Sequence, residues 1–211
     1  MKRLFFPIFL LNVTLLLTSF AQDNTKVGLP EGAIARLGKG GINLMRFSPD
    51  GTRLAVGTDV GVWLYDVPDG KETALFTGHP GQVNALAFST DGKILASGGH
   101  VNPVIQLWNL DTDSKLSTLT LPEEIQSIST LTFAKDNTIL ISLDESGNIT
   151  YWDVKTYTKV LDIVTQLSYD AVAVSEDGST FATGDRHGII PIVWTILRIK
   201  VFKSRKRGIL S

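Results

Sequence analysis

The sequence predicts an all-β protein built from four copies of a four-stranded antiparallel sheet. Two separate sequence markers recur with one period, and short alternating strands lie between them. After residue 21, no window of ten or more residues shows the 3.6-residue period of an amphipathic helix. A chain of 211 residues that is 43% hydrophobic and 19% charged also has enough apolar material to fold around a core.

The first marker is a hydrophobic residue at the end of a strand, followed by a turn that contains aspartate and usually glycine. Its four copies recur every 41 to 45 residues. They begin at Phe47, Phe88, Phe133 and Val174, as in Phe47-Ser48-Pro49-Asp50-Gly51. Glycine in the turn accommodates positive φ, which a tight connection between two strands requires.

The second marker is an aromatic residue at the end of an alternating strand. It recurs every 42 to 44 residues and keeps the phase of the first marker. Its copies are Tyr65-Asp66, Trp108-Asn109, Trp152-Asp153 and Trp194-Thr195. Two markers in one phase indicate a structural repeat of about 43 residues.

Each repeat is predicted to contain four strands, in the same order. In the first repeat they are residues 42–47, 53–56, 62–65 and 72–76, and in the second 83–88, 94–97, 104–108 and 115–120. The third has 128–133, 138–142, 149–152 and 158–164. The fourth has 171–174, 180–183 and 189–194, with 197–201 still alternating. Runs such as Leu54-Ala55-Val56 carry apolar residues on both faces, so the first three strands of each repeat are expected to be buried on both sides.

These residues resemble the WD40 repeat family. The resemblance rests on Gly78-His79 ahead of Val83 and on Trp108-Asn109, and it covers about residues 31–194. It is closest to arrays in exported bacterial proteins, whose first repeat often ends like residues 61–66 of this chain. The resemblance implies that each repeat is a β-propeller blade and that the protein works as a noncatalytic scaffold.

The family resemblance also implies a buried polar network inside each blade. It joins the histidine of Gly-His, a serine or threonine in the second strand, an aspartate in the next turn, and the tryptophan of the third strand. The matching residues of the second blade are His79, Ser97, Asn102 and Trp108, with an amide in place of the aspartate. The third blade keeps Ser142 and Trp152, whereas Val56 and Tyr65 stand at these places in the first, where packing is expected instead.

The domain boundaries follow from the repeats and from the two ends of the chain. Lys2 and Arg3 precede an apolar run at 4–17, and Ser19 and Ala21 have the spacing of a cleavage site, so residues 1–21 are predicted to be a signal peptide. That run is too short for a stable membrane span, and the mature protein is expected to be secreted or periplasmic. Residues 22–30 are a linker, the blades fill 31–202, and 203–211 form a basic tail. Within 31–202, residues 31–37 are a leading outer strand. The first three blades are 38–78, 79–121 and 122–165, and the fourth, degenerate blade is 166–202.

The distribution of charge argues against a nucleic-acid partner. Residues 22–197 contain 12 Lys and Arg against all 21 acidic residues, whereas the segment from Arg198 onward carries six basic residues and no acid. A body with a net charge of −9 would repel a phosphate backbone.

Four blades do not close a propeller of ordinary geometry. Blades of a seven-membered ring occupy about 51° each, so four span about 206°. Three alternatives remain open. The chain is a piece of a longer propeller, or two chains pair as a homodimer that completes an eight-bladed ring, or four blades close alone.

The candidate binding residues lie in loops that share one face of the predicted disc, and the expected partner is a protein or peptide. They are Asp59, His100, Asn102, Asp144, Glu145, Arg186 and His187. No catalytic residue, cofactor or metal is predicted, since the chain has no cysteine, three histidines and no phosphate-binding or nucleophile motif. Residues 144–148 are predicted to be a hairpin turn. The alternatives are a propeller hydrolase or lyase with a site over the central opening, and a nonfunctional fragment of a longer propeller.

Overall fold

The computed structural model describes residues 40–101, 104–122, 124–163, 171–175, 180–184 and 194–195. Every described residue belongs to one compact unit, Leu37–Ser211. In this part of the chain no helix has the length and apolarity that crossing a membrane requires.

The described residues form successive antiparallel sheets, in which neighbouring strands follow each other along the chain. Blade 1 contains β1 (Ile42–Phe47), β2 (Arg53–Thr58), β3 (Val62–Asp66) and β4 (Glu72–Phe76). Blade 2 contains β5 (Val83–Phe88), β6 (Ile94–Gly99), β7 (Val104–Asn109) and β8 (Ser114–Thr120). Blade 3 contains β9 (Ile128–Phe133), β10 (Ile139–Asp144), β11 (Ile149–Asp153) and β12 (Thr158–Ile163). A fourth sheet contains β13 (Ala171–Val174), β14 (Thr180–Gly184) and β15 (Trp194–Thr195).

The prediction of an all-β protein built of repeated four-stranded sheets is confirmed. The second strands extend further than predicted: β2 reaches Thr58, and the Thr58 amide donates a hydrogen bond to the Gly61 carbonyl at 2.9 Å. The predicted strand ends at Val56 because Gly57 and Thr58 break the apolar run, yet the backbone ladder continues through them. The leading strand at 31–37 and the strand at 197–201 lie outside the described residues, as does most of 189–194.

The turn between the first and second strands is closed in the same way in blades 1 and 2. Ser48 Oγ donates to Asp50 Oδ1 and Ser89 Oγ to Asp91 Oδ1, both at 2.6 Å. The third blade has no hydroxyl at this position, and Asn137 takes φ +57° where the other two blades have glycine. Asparagine tolerates the left-handed region better than most residues, so the turn survives the substitution.

The turn between the third and fourth strands also requires a left-handed residue. The equivalent positions are Gly70, Asp113 and Tyr157, with φ of +67°, +49° and +57°. Each lies five residues after the aromatic marker. The repeat therefore fixes this backbone conformation even where the residue is not glycine.

The core lies in layers between neighbouring blades. One layer joins Val62, Leu64 and Phe76 of blade 1 to Leu86, Leu95 and Trp108 of blade 2. A second joins Ile105 and Leu107 of blade 2 to residues of blade 3 that include Ile128, Leu140 and Trp152. These layers agree with the expectation that inner strands are covered on both faces.

β1 is the exception to that expectation. Leu44 packs against the layer shared with blade 2, whereas Met45 and Phe47 point to the other face. Phe47 is 62% exposed, and Met45 and Ile42 are also exposed. The expectation of burial on both faces is therefore wrong for this strand, because alternation places its residues on two sides and only one of them meets blade 2.

Asp113→Val tests the repeated turn between the third and fourth strands. A β-branched residue at φ +49° is strained, so we expect the free energy of unfolding to fall by about 1 to 2 kcal/mol. Urea denaturation measures the change. Asp113→Gly is the matched control and is expected to retain the parent stability; an equal loss in both variants would contradict the assignment.

Candidate functional site

The interior network of blade 2 is centred on the hydroxyl of Ser97. Trp108 Nε1 donates to Ser97 Oγ at 2.8 Å, and His79 Nε2 shares a hydrogen bond of 2.7 Å with the same oxygen. Ser97 is fully buried and Trp108 is 4% exposed. The three side chains thus tie the loop before β5 to β6 and β7.

The second ring nitrogen of His79 is buried and has no hydrogen-bond partner among the described residues. Asn102, the residue expected to reach it, lies outside them. A Cβ on Gly99 would lie 2.9 Å from His79 Nδ1, so glycine gives the ring its space. Burial lowers the pKa of His79 to about 4, and the positive charge of Lys115 adds to this effect. The imidazole is therefore neutral at pH 7.

The network is reduced in blade 3 and replaced in blade 1. Trp152 Nε1 donates to Ser142 Oγ at 2.8 Å, and the Ser142 hydroxyl is 3.5 Å from the Thr150 carbonyl. In blade 1, Val56 and Tyr65 occupy the matching positions and are buried. A serine–tryptophan pair can satisfy its polar atoms without histidine, which explains why blade 3 keeps this pair alone.

Two residues that sequence reasoning missed also join blades 1 and 2. Gln106 is buried, and its Nε2 donates to the Gly78 carbonyl at 2.6 Å. The ring of Phe76 stacks on Trp108 with centroids 4.8 Å apart. The signal for Gln106 was a polar residue on a strand between the apolar Ile105 and Leu107, whereas no pattern predicted the stack, which depends on how two sheets meet.

We define the hairpin-loop face as the end of the blades where second strands connect to third strands and where the chain enters each first strand. Asp59 lies there, exposed, and accepts a hydrogen bond from Asn43 Nδ2 at 3.1 Å. His100 and Glu145 meet at the seam between blades 2 and 3, with 4.0 Å between His100 Nδ1 and Glu145 Oε1. Of the predicted binding residues, the structure brings these last two together.

Asp144 corrects one expectation about this face. It is 4% exposed, and its two carboxylate oxygens accept hydrogen bonds from the amide and the side chain of Asn148, both at 2.9 Å. It closes the predicted hairpin turn at 144–148, where Gly147 takes φ +82°, instead of facing solvent. Asn102, Arg186 and His187, the other predicted binding residues, lie outside the described part of the chain.

The described part of the hairpin-loop face exposes carboxylates, amides and isolated apolar side chains on loops carried by the sheets. Within the residues the structure describes, no three His, Asp or Glu side chains come close enough to hold a metal ion.

The repeated sheets and the histidine–serine–tryptophan network define β-propeller blades of the WD40 type. The family described as WD domain, G-beta repeat matches residues 70–109. The chain therefore belongs to the WD40 repeat family.

Three relatives place the match in context. WD repeat-containing protein 1 of Xenopus tropicalis is 31% identical over 71% of this chain and 26% of its own length. Target of rapamycin complex subunit wat1 of Schizosaccharomyces pombe is 26% identical over 74% of this chain and 49% of its own length. Small ribosomal subunit protein RACK1 of Brassica napus is 32% identical over 61% of this chain and 43% of its own length. The matched region thus spans between about a quarter and a half of these relatives.

Trp108→Ala tests the interior network. Removing this buried ring leaves a cavity and loses the stack on Phe76, so we expect a loss of about 3 to 5 kcal/mol in the free energy of unfolding. Chemical denaturation followed by circular dichroism measures it. Trp108→Phe keeps most of the ring and removes the N–H donor, so its loss should be smaller; a loss under about 1 kcal/mol for the alanine variant would contradict the burial.

The depressed pKa of His79 predicts how stability depends on pH. In the unfolded chain the imidazole binds a proton near pH 6.5, whereas in the folded chain it does so only near pH 4. The unfolded state therefore takes up more protons between these values, and stability should decrease as the pH falls from about 6.5 to about 4.

Denaturation midpoints measured across that window check this prediction. His79→Gln should flatten the dependence, while the matched change at a more exposed histidine, His100→Gln, should leave it in place. An unchanged dependence in His79→Gln would show that other groups cause it.

Proposed function

We propose that this chain is a noncatalytic protein- or peptide-binding scaffold whose partner contacts the hairpin-loop face. The main support is the arrangement of that face: the hairpins of three consecutive blades each present exposed side chains at their tips. These are Asp59 and Val60 in blade 1, Val101 in blade 2, where the preceding His100 is half-buried, and Glu145 in blade 3.

The sheets below hold these tips in a fixed geometry. The blades share buried layers, and the hairpins are closed by their own hydrogen bonds, such as the one that the Asn148 amide donates to the Asp144 carboxylate. A rigid platform loses little conformational entropy when a partner binds, so polar and apolar contacts at the tips contribute more of their energy to affinity.

The names of two relatives agree with a role in assemblies. One is a subunit of the target of rapamycin complex, and another is a protein of the small ribosomal subunit. A scaffold that offers several loops side by side suits such a role, and we extend this general activity, without any particular partner, to the present chain.

We also propose that the protein is exported. The support lies in the sequence of residues 1–21, where basic residues, an apolar run and a cleavage-site pattern occur in order. Mass spectrometry of the protein recovered from the extracellular or periplasmic fraction tests this. A mature N-terminus at Gln22 is expected, and recovery of the intact chain from the cytoplasm alone would overturn it.

Photo-crosslinking tests the binding face. Benzoylphenylalanine placed at Val60 or Val101 should give protein adducts in the exported fraction of the source organism. The matched control places it at Asp111, which is exposed in a turn at the opposite end of blade 2. Adducts at the control position alone, or equal adducts at all three, would contradict a partner on the hairpin-loop face, and so would their absence everywhere.

A further inference from the structure

The charged residues of the described blades are sorted between the two ends of the strands. Of the eight described Lys and Arg residues, seven lie beside turns that join first to second or third to fourth strands. These seven are Arg53, Lys71, Lys93, Lys115, Lys135, Lys155 and Lys159. Antiparallel strands place both kinds of turn at the end opposite the hairpin-loop face.

The hairpin-loop face itself carries acids and no described Lys or Arg. Asp59, Glu124 and Glu145 are exposed there. At the opposite end of the strands, the described acidic residues share their turns with Lys or Arg. The acidic residues of the hairpin-loop face have no Lys or Arg within their own loops. The described part of this face, in blades 1 to 3, therefore carries a negative potential that favours a cationic partner.

An apolar side chain stands beside these acids at the seam between blades 2 and 3. Val101 is 61% exposed and directly follows His100. Its φ is +61°, which a β-branched residue rarely adopts, and its amide donates to the Gln126 carbonyl at 3.0 Å. The backbone of the seam holds this valine at the surface despite the conformational cost.

The same seam leaves hydrogen-bonding capacity unused. The Glu145 amide donates to the Ser127 carbonyl, but the carboxylate has only His100 Nδ1 near it, at 4.0 Å, and no described Lys or Arg pairs with it. His100 Nδ1 and the Oγ of the fully buried Ser127 have no hydrogen-bond partner among the residues that the structure describes. Within the described blades, Glu145 thus presents a carboxylate that no Lys or Arg neutralises.

We propose that this seam recognises a peptide segment in which a lysine or arginine stands next to an apolar residue. The cation pairs with the Glu145 carboxylate, while its aliphatic stem and the apolar neighbour lie on Val101. This inference rests on the proposed scaffold function and adds the chemistry of the partner. An acidic peptide or a nucleic acid would meet the repulsion of Glu124 and Glu145.

Selection from a phage-displayed library of random dodecapeptides on the immobilised full chain tests the proposal. Enriched sequences should carry Lys or Arg beside apolar residues. A synthetic peptide of the leading sequence is then titrated in fluorescence anisotropy at low and at physiological salt. Its affinity should weaken as salt rises, because exposed charges are screened.

Four variants locate the contact. Glu145→Lys should weaken the peptide about fivefold or more through loss of attraction and added repulsion, and Val101→Ser should weaken it by a similar factor. Asp111→Lys makes the same charge change at the opposite end and should leave affinity nearly unchanged. Val101→Gly removes the apolar contact and relieves the backbone strain, so weakened binding in it shows that the side chain, not the strain, is recognised.

The outcomes separate this inference from the proposed function. If the enriched peptides show no preference for basic residues, and if changing Asp59 or Val60 abolishes their binding, the proposed contact at the seam is wrong. The proposed scaffold function is then still supported. Basic peptides that bind the Glu145→Lys variant with the same affinity as the parent chain would also overturn the proposed contact at the seam. A library that yields no specific binder would count against both proposals.

Discussion

The structure depends on covering both faces of small β-sheets with neighbouring sheets. A single four-stranded sheet of this composition would leave residues such as Leu64 and Leu95 in water, and stacking blades removes them from it. The polar network of blade 2 makes this burial compatible with a tryptophan N–H, because Ser97 accepts its hydrogen bond inside the blade. Apolar layers supply the stability, and one hydroxyl keeps a large aromatic residue satisfied within them.

The network also shows how a repeat tolerates unequal copies. Blade 2 uses His79, Ser97 and Trp108, blade 3 keeps only Ser142 and Trp152, and blade 1 replaces the polar pair by buried Val56 and Tyr65. Each version leaves few polar atoms without a partner, which is the condition that burial imposes. The copies of the repeat therefore differ in the side chains that fill the interior of each blade, while the strands and turns around them stay the same.

The seam between blades 2 and 3 connects this architecture to recognition. The same antiparallel order that alternates turns between two ends also places most of the described Lys and Arg residues away from the hairpin-loop face. Loops at that face extend from strands fixed by buried layers, so a residue such as Val101 can be held exposed in an unfavourable backbone conformation. The stability of the packed blades thus compensates, at the loop tips, for the strained backbone of Val101 and for the charge of Glu145, which no described Lys or Arg neutralises.

The sequence by itself determined the repeat, the strand order and the turns, and its resemblance to the WD40 repeat family implied the serine–tryptophan pairs. Period-2 alternation and the recurring aspartate turns are local patterns, and local patterns set strands and hairpins. Tertiary structure alone decided the stack of Phe76 on Trp108, the exposure of β1, the burial of Asp144 and the meeting of His100 with Glu145. These features depend on how one sheet lies against the next, and residues from different blades approach only when that packing brings distant parts of the chain together.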